Sequence, residues 1–235
     1  MINSAASATG PARDLLLVGA GGFGRETAQT VHALNQAGAR WRLLGFIDDG
    51  AERHGTAVEG SLVLGGRQLI GDMPEACVVV CTGRPTDYGS RSRIVRDLAL
   101  PPERYATIIH PSVALSLSSS VGPGSVLLAH VTLTAAVRIG AHVAVMPQVT
   151  LTHDDQVDDF ATIASGALLG GGVCVQTGAY VGSGAVIGEG RTIGAHSLVG
   201  MGSVVTHDVP PGEVWAGVPA RYLRPAGIPG SEIGG

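Results

Sequence analysis

The sequence predicts two units of different build: an α/β N-terminal unit with a parallel sheet, followed by an all-β parallel coil of triangular section. Three observations carry this. Near the N-terminus a strand pattern runs straight into a glycine turn and a helix; an aliphatic residue recurs every six positions from Ile109 to Val205; and 235 residues hold 36 Gly but only 4% aromatics. Ordinary cores are built around Phe, Tyr and Trp, so the last figure calls for an architecture of small side chains.

In the first unit, Leu15 to Val18 has the apolar run of a buried strand, and Arg25 to Leu34 reads as a helix. Between them Gly19, Gly21 and Gly24 match G-x-G-x-x-G, in which missing side chains let backbone N–H groups and a helix N-terminus approach a phosphate. A second strand, Arg42 to Ile47, ends in Asp48-Asp49, where a carboxylate can meet a ribose or base. A third, Cys77 to Cys81, ends in Thr82-Gly83-Arg84-Pro85. Three strand ends of this kind predict a Rossmann-like parallel sheet with a crevice at its carboxyl edge, so Gly21, Gly22, Phe23, Gly24, Asp48 and Asp49 are the candidate acceptor-binding residues. A complete dinucleotide domain needs a second βαβ half, and the pattern stops near residue 107, which argues against NAD and an oxidoreductase.

The second unit is set by the repeat. Ile109, Leu115, Val121 and each sixth residue to Val199 and Val205 make seventeen positions, all Ile, Leu or Val. Periods of this kind mean stacked architecture. One hexapeptide makes a flat side and a corner, three make a coil of 18 residues, and the aliphatics point to the axis. Gly follows the aliphatic at 122, 140, 170, 182, 188, 194 and 200, where the chain is expected to take φ > 0. A small or β-branched residue four positions after the aliphatic, as at Val113, Ser125, Ala167 and Ser203, fills the corner. His130, His142 and His196 share the fourth position, which predicts outward-facing histidines with solvated or packing roles.

The pattern breaks at Leu151-Thr152-His153-Asp154-Asp155-Gln156, where Asp155 fills a slot that elsewhere is small and apolar. A break in a strict repeat costs stability and marks a functional candidate. His153 and Asp154 supply a general base and a carboxylate, the groups that take a proton from an attacking amine or hydroxyl.

The hexads, together with Gly217-Val218-Pro219-Ala220 after the last coil, resemble the left-handed parallel β-helix acyltransferases. With Val18 to Gly24 and Gly45-Phe46-Ile47-Asp48-Asp49 added, residues 14 to 224 resemble the sugar acetyltransferases related to sialic acid O-acetyltransferase and to the bacterial nucleotide-amino-sugar N-acetyltransferases. The resemblance implies acetyl-CoA as co-substrate, a homotrimer with acetyl-CoA between adjacent prisms, His153 as the base, and Asp154 as the group that orients it. It also implies a backbone N–H at Gly171 facing the thioester oxygen, with further contacts to the pantetheine arm near Ser183 and Met201. Three positions depart from the family: Thr162 and Met146 stand where the N-acetyltransferases carry a second histidine and an asparagine, and Phe23 where many carry a histidine. These leave the acceptor and acyl group open.

The implied activity is acetyl transfer to the amine of a nucleotide-linked sugar. Transfer to a sugar hydroxyl such as that of sialic acid, or to a non-sugar acceptor or from a longer acyl-CoA, is the nearest alternative; a non-catalytic hexapeptide scaffold is the alternative from another class. A net charge of −4 excludes a summed field that draws nucleic acid. No run approaches the ~20 apolar residues of a membrane span. Residues 1–13 lack the apolar core of a signal peptide and read as a disordered leader, and three cysteines without paired spacing fit a reducing compartment, so the expectation is a cytoplasmic protein without a metal site. The expected division is leader 1–13, Rossmann-like unit 14–107, β-helix 108–213 and a C-terminal tail 214–235.

Overall fold

The computed structural model describes residues 12–227. The N-terminal unit contains β1 (Arg13–Val18), α1 (Gly22–Gln36), β2 (Trp41–Ile47), β3 (Ala57–Val58), β4 (Ser61–Gly65), β5 (Cys77–Val80) and α2 (Ser90–Leu98). Its sheet runs β3-β4-β2-β1-β5, with β1 parallel to both β2 and β5. A parallel strand covered on both faces reads as an unbroken apolar run. Accordingly Leu15, Leu16 and Leu17 of β1 and Val78 and Val79 of β5 are fully buried. Arg13, assigned to the leader by sequence, is the first residue of β1, and residues 1–11 lie outside the described residues. Sequence reading also misses β3, β4 and α2. The first is two residues long, and α2, SRSRIVRDL, has too few apolar residues to show a helical stripe.

Seventeen two-residue strands follow among the described residues, from β6 (Ile108–Ile109) to β22 (Val204–Val205), and the second residue of each is the periodic aliphatic. Partners lie 18 residues apart, as Thr132 with Thr150 and Thr150 with Leu168. Three strands therefore make one coil, and the coils stack into a left-handed parallel β-helix whose three faces carry sheets of six, five and eight strands. From Leu127 to Val205 no periodic aliphatic is more than 4% exposed, so these side chains form one dry column along the axis.

The glycine expectation is corrected. Gly122, Gly140, Gly170, Gly182, Gly188, Gly194 and Gly200 do not have positive φ; the left-handed residue is the fourth of each hexad, at every hexad from Gly124 to Gly202. In seven of those hexads it is not glycine: His130, Ala136, His142, Gln148, Asp154, Phe160 and His196. The second-slot glycines are small for another reason. A Cβ on Gly122 would stand 2.5 Å from the carbonyl oxygen of Gly140, and one on Gly182 would stand 2.6 Å from the amide nitrogen of Met201. Coils stacked at strand spacing leave no room there.

The segment from 214, expected as a tail, extends the prism. β23 (Glu213–Gly217) pairs in parallel with Leu198–Val199 on the eight-stranded face, and β24 (Ala220–Pro225) returns antiparallel to it. Residues 228–235 of that tail lie outside the described residues.

The N-terminal unit lies on the eight-stranded face. The outward residues of that face, Ile108, Val126, Ala144, Thr162 and Tyr180, are buried, whereas Leu168 and Val186 on the six-stranded face are 46% and 40% exposed. Leu15, Leu17, Ala28 and Phe46 form one apolar cluster with Ile108, Val126 and Leu128, with Phe23 and Met146 packed at its margin. His142, expected to face outward, is buried in this junction: its ring stacks on Phe160 and meets the edge of Tyr105.

Candidate active site

His153 and Asp154 project from one corner of the prism, between the strand ending in Leu151 and the strand starting at Gln156. Asp154 takes the left-handed corner conformation, φ +64°, which short polar side chains tolerate better than most. That turns its carboxylate toward the neighbouring imidazole, and His153 Nδ1 lies 3.0 Å from Asp154 Oδ2. An Nδ1–H donated to Asp154 leaves Nε2 with its lone pair outward. The hydrogen bond to Asp154 raises the His153 pKa above its ordinary value, and the charges of Asp154, Glu189 and Asp155 add to this. Both side chains are largely exposed in the single chain.

Asp155 is fully buried and plays a different part. Its carboxylate accepts the Thr152 N–H and, one coil on, the Val173 N–H, both at 2.8 Å. Burial pushes its pKa up to about 6 against the opposing effect of those two bonds. The carboxylate thus ties the His153 corner to the next coil, as Ser125 does elsewhere by accepting the Val143 N–H.

Gly171, one coil above His153, lies against the imidazole: a Cβ there would stand 2.4 Å from Nε2. The third-slot N–H groups, to which Gly171, Ser183 and Met201 belong, are not used by the coil-to-coil ladder. At Ala141 and Ala195 they are taken by the side chains of Asp159 and Gln176. At Gly171, Ser183 and Met201 no such acceptor occurs among the described residues. The structure therefore brings His153, Asp154 and Gly171 together, while Ser183 and Met201 stack in a column with Ser165 at another corner; Gly184 N–H donates to Ser165 O and Gly202 N–H to Ser183 O.

The glycine turn divides into two kinds of residue. Gly24 is required by packing, since a Cβ there would stand 2.0 Å from Gly19 O. Gly21 and Gly22, at the start of α1, have nothing among the described residues within 4 Å of the same position. Asp48 is already engaged, accepting the Ala20 N–H at 2.9 Å and the Gly50 N–H at 3.0 Å, so it braces the turn. Asp49 does not join it; its carboxylate pairs with Arg67, which also reaches Asp97. Phe23 packs at the margin of the junction cluster. These residues sit with the unit on the eight-stranded face, whereas His153 stands at the opposite corner of its own prism.

Residues 14–98 match the family described as the PglD N-terminal domain. Among solved structures, the acetyltransferase domain of PglB from Neisseria gonorrhoeae superposes with a TM-score of 0.79 and 27% identity, covering 90% of this chain and 100% of its own, both alone and in complex with acetyl coenzyme A. A variant of GDP-perosamine N-acetyl transferase from Caulobacter crescentus, in complex with CoA and GDP-perosamine, gives 0.78 and 25% over 92% and 97% of the two chains. WeeI from Acinetobacter baumannii gives 0.75 and 26% over 90% and 100%. By these likenesses the chain is an acyltransferase that uses acyl-CoA. No curated protein sequence matches it.

Within this acyltransferase one buried cation escapes sequence reading. Arg91 of α2 is 1% exposed, yet no carboxylate lies within ion-pair distance of it among the described residues. It donates Nε to His142 O at 2.7 Å, Nη1 to Thr82 O at 2.6 Å, and Nη2 to Phe160 O, Ala161 O and Thr162 Oγ1 at 2.9, 3.0 and 2.8 Å. Burial lowers its pKa to about 10. Thr162 is thereby committed to Arg91 and withdrawn from the surface. The only sequence signal was its position in a helix too polar to be recognised.

Proposed function

We propose that this acyltransferase moves the acetyl group of acetyl-CoA to the amino group of a nucleotide-linked sugar. The observation that carries the reading is the His153–Asp154 pair: a carboxylate on Nδ1, an outward Nε2, and the Gly171 backbone directly beside it. The acceptor nitrogen attacks the thioester carbonyl carbon while His153 Nε2 takes its proton. The Gly171 N–H stabilises the oxygen as it gains charge. The C–S bond then breaks, the CoA thiolate leaves and takes the proton from the imidazolium, and an amide and free CoA remain. Ser183 and Met201 supply backbone contacts to the pantetheine arm, and Gly21, Gly22 and Gly24 with Phe23 and Asp48 form the crevice for the nucleotide.

His153 and the nucleotide crevice of one chain stand on opposite sides of the prism, so the reading includes a second copy. The His153 corner of one chain faces Ser183, Met201 and the glycine turn of a neighbour, in a homotrimer. The exposed Leu168 and Val186, one coil apart on the face beside His153, and Met201, 81% exposed, are the apolar surface such an assembly covers.

The test is thiol release from acetyl-CoA against nucleotide-linked amino sugars, free amino sugars and sialic acid, with His153→Ala as control. Turnover on a nucleotide-linked amino sugar that disappears in the variant is the expected result. Turnover only on a hydroxyl acceptor would replace N- by O-acetylation, and none with any of them would sink the assignment.

A further inference from the structure

We propose that Arg91 is a positioning residue that fixes the nucleotide-fold unit, and with it the acceptor, against its own prism, and so against the His153 corner that a neighbouring copy presents. The inference rests on the acyl-transfer reading for its consequence and on geometry for its substance. Thr82, whose carbonyl accepts Nη1, closes β5 at the carboxyl edge of the sheet, where the crevice lies. Gly83 beside it has φ +124°, and a Cβ there would stand 2.9 Å from Arg91 Nη1, so the loop is shaped around the guanidinium. Phe160, Ala161 and Thr162 belong to the same turn of the prism as His153, and His142 to the turn before. One side chain thus joins the crevice to two successive coils through five hydrogen bonds.

An apolar residue would have held two surfaces together at less desolvation cost. What a guanidinium adds is direction: a planar fork whose Nε, Nη1 and Nη2 reach both units at once only in one relative orientation of the two, which a lysine ammonium cannot reproduce. The contacts proposed for the thioester come from the prism alone, whereas those for the acceptor come from the glycine turn. Loosening Arg91 therefore tilts the acceptor and leaves the donor in place.

The experiment uses the full chain with Arg91→Lys and, as a milder isosteric change, Thr162→Val. The expected result is an acceptor KM raised on the order of tenfold in Arg91→Lys and a few-fold in Thr162→Val, with kcat and the KM for acetyl-CoA within about twofold. Amide hydrogen exchange should quicken at Cys81 and His142 and stay unchanged at Val181 and Ile187, in coils beyond the contact. A folded Arg91→Lys with an unaltered acceptor KM, or with both KM values raised equally, overturns the proposal; if that variant does not fold, Thr162→Val decides by the same readout. Absence of turnover in the unaltered protein would remove the acyl-transfer reading alone, and unchanged exchange at Cys81 and His142 would then remove the clamp as well.

Discussion

The imidazole of His153 rests on Gly171, so closely that a Cβ on the glycine would stand 2.3 Å from its Cε1. Any side chain at 171 must push the ring aside. Because that ring is exposed it can move at little cost, so Gly171→Ala should keep its thermal midpoint within a degree or two. Its kcat should fall on the order of 100-fold, since a displaced base forfeits alignment. Circular dichroism melting beside steady-state kinetics checks both halves; an unaltered kcat would show that the ring position does not matter.

In its proposed role His153 takes a proton only when neutral, and the hydrogen bond to the Asp154 carboxylate raises its pKa. The acid limb of the kcat/KM profile should therefore lie above the ordinary histidine value of ~6.5. Asp154→Asn fits the same left-handed corner without the charge and should shift that limb downward, while lowering the plateau. A limb that stays in place in the variant would dissociate Asp154 from the base.

His142 is neutral in the fold, its pKa lowered to about 4 by burial and the nearby Arg91, with Asp159 opposing. Its Nδ1 is buried without a hydrogen-bond partner among the described residues. A group whose folded pKa is depressed contributes stability that is present above ~6.5 and is lost as pH falls toward 4, here on the order of 2–3 kcal/mol. His142→Phe removes both the orphaned nitrogen and this dependence, and Phe160 shows that a phenyl side chain is accommodated at the same slot, φ +63°. Urea titrations at pH 4.5 and 7.5 should show the wild type losing more stability than the variant between the two.

The two glycine slots make opposite demands. In Gly182→Ala the new Cβ would meet the Met201 amide nitrogen at 2.6 Å, and backbone cannot give way cheaply; in Gly184→Ala it meets nothing among the described residues within 4 Å and bears only the cost of φ +67°. The latter should cost about 1–2 kcal/mol and the former distinctly more. Equal losses on denaturation would overturn the assignment of close stacking to the second slot.

The seventeen-fold aliphatic period was legible because each hexad carries its own instruction, repeated until chance is excluded. The same redundancy exposed His153-Asp154 as a break. The glycines beside it were misread because sequence does not distinguish a glycine needed for φ from one needed for room: Gly122 and Gly124 look alike until the coil above Gly122 is in place. His142 was misread for a related reason. Its slot points outward from the prism, and only the unit packed on that face turns outward into buried.

Local periodicity therefore fixed what the chain repeats with itself, the prism and its dry axis, and its break marked the His153 corner; the strands behind the glycine turn were legible as apolar runs. Tertiary structure decided everything that depends on contact between segments without a common period. It paired Asp49 with Arg67, put Gly171 against the imidazole, and set the glycine turn and His153 on opposite sides of one prism. It also drew the guanidinium of Arg91 into a dry junction, because a buried charge needs hydrogen-bond partners, and these come from residues 82 to 162.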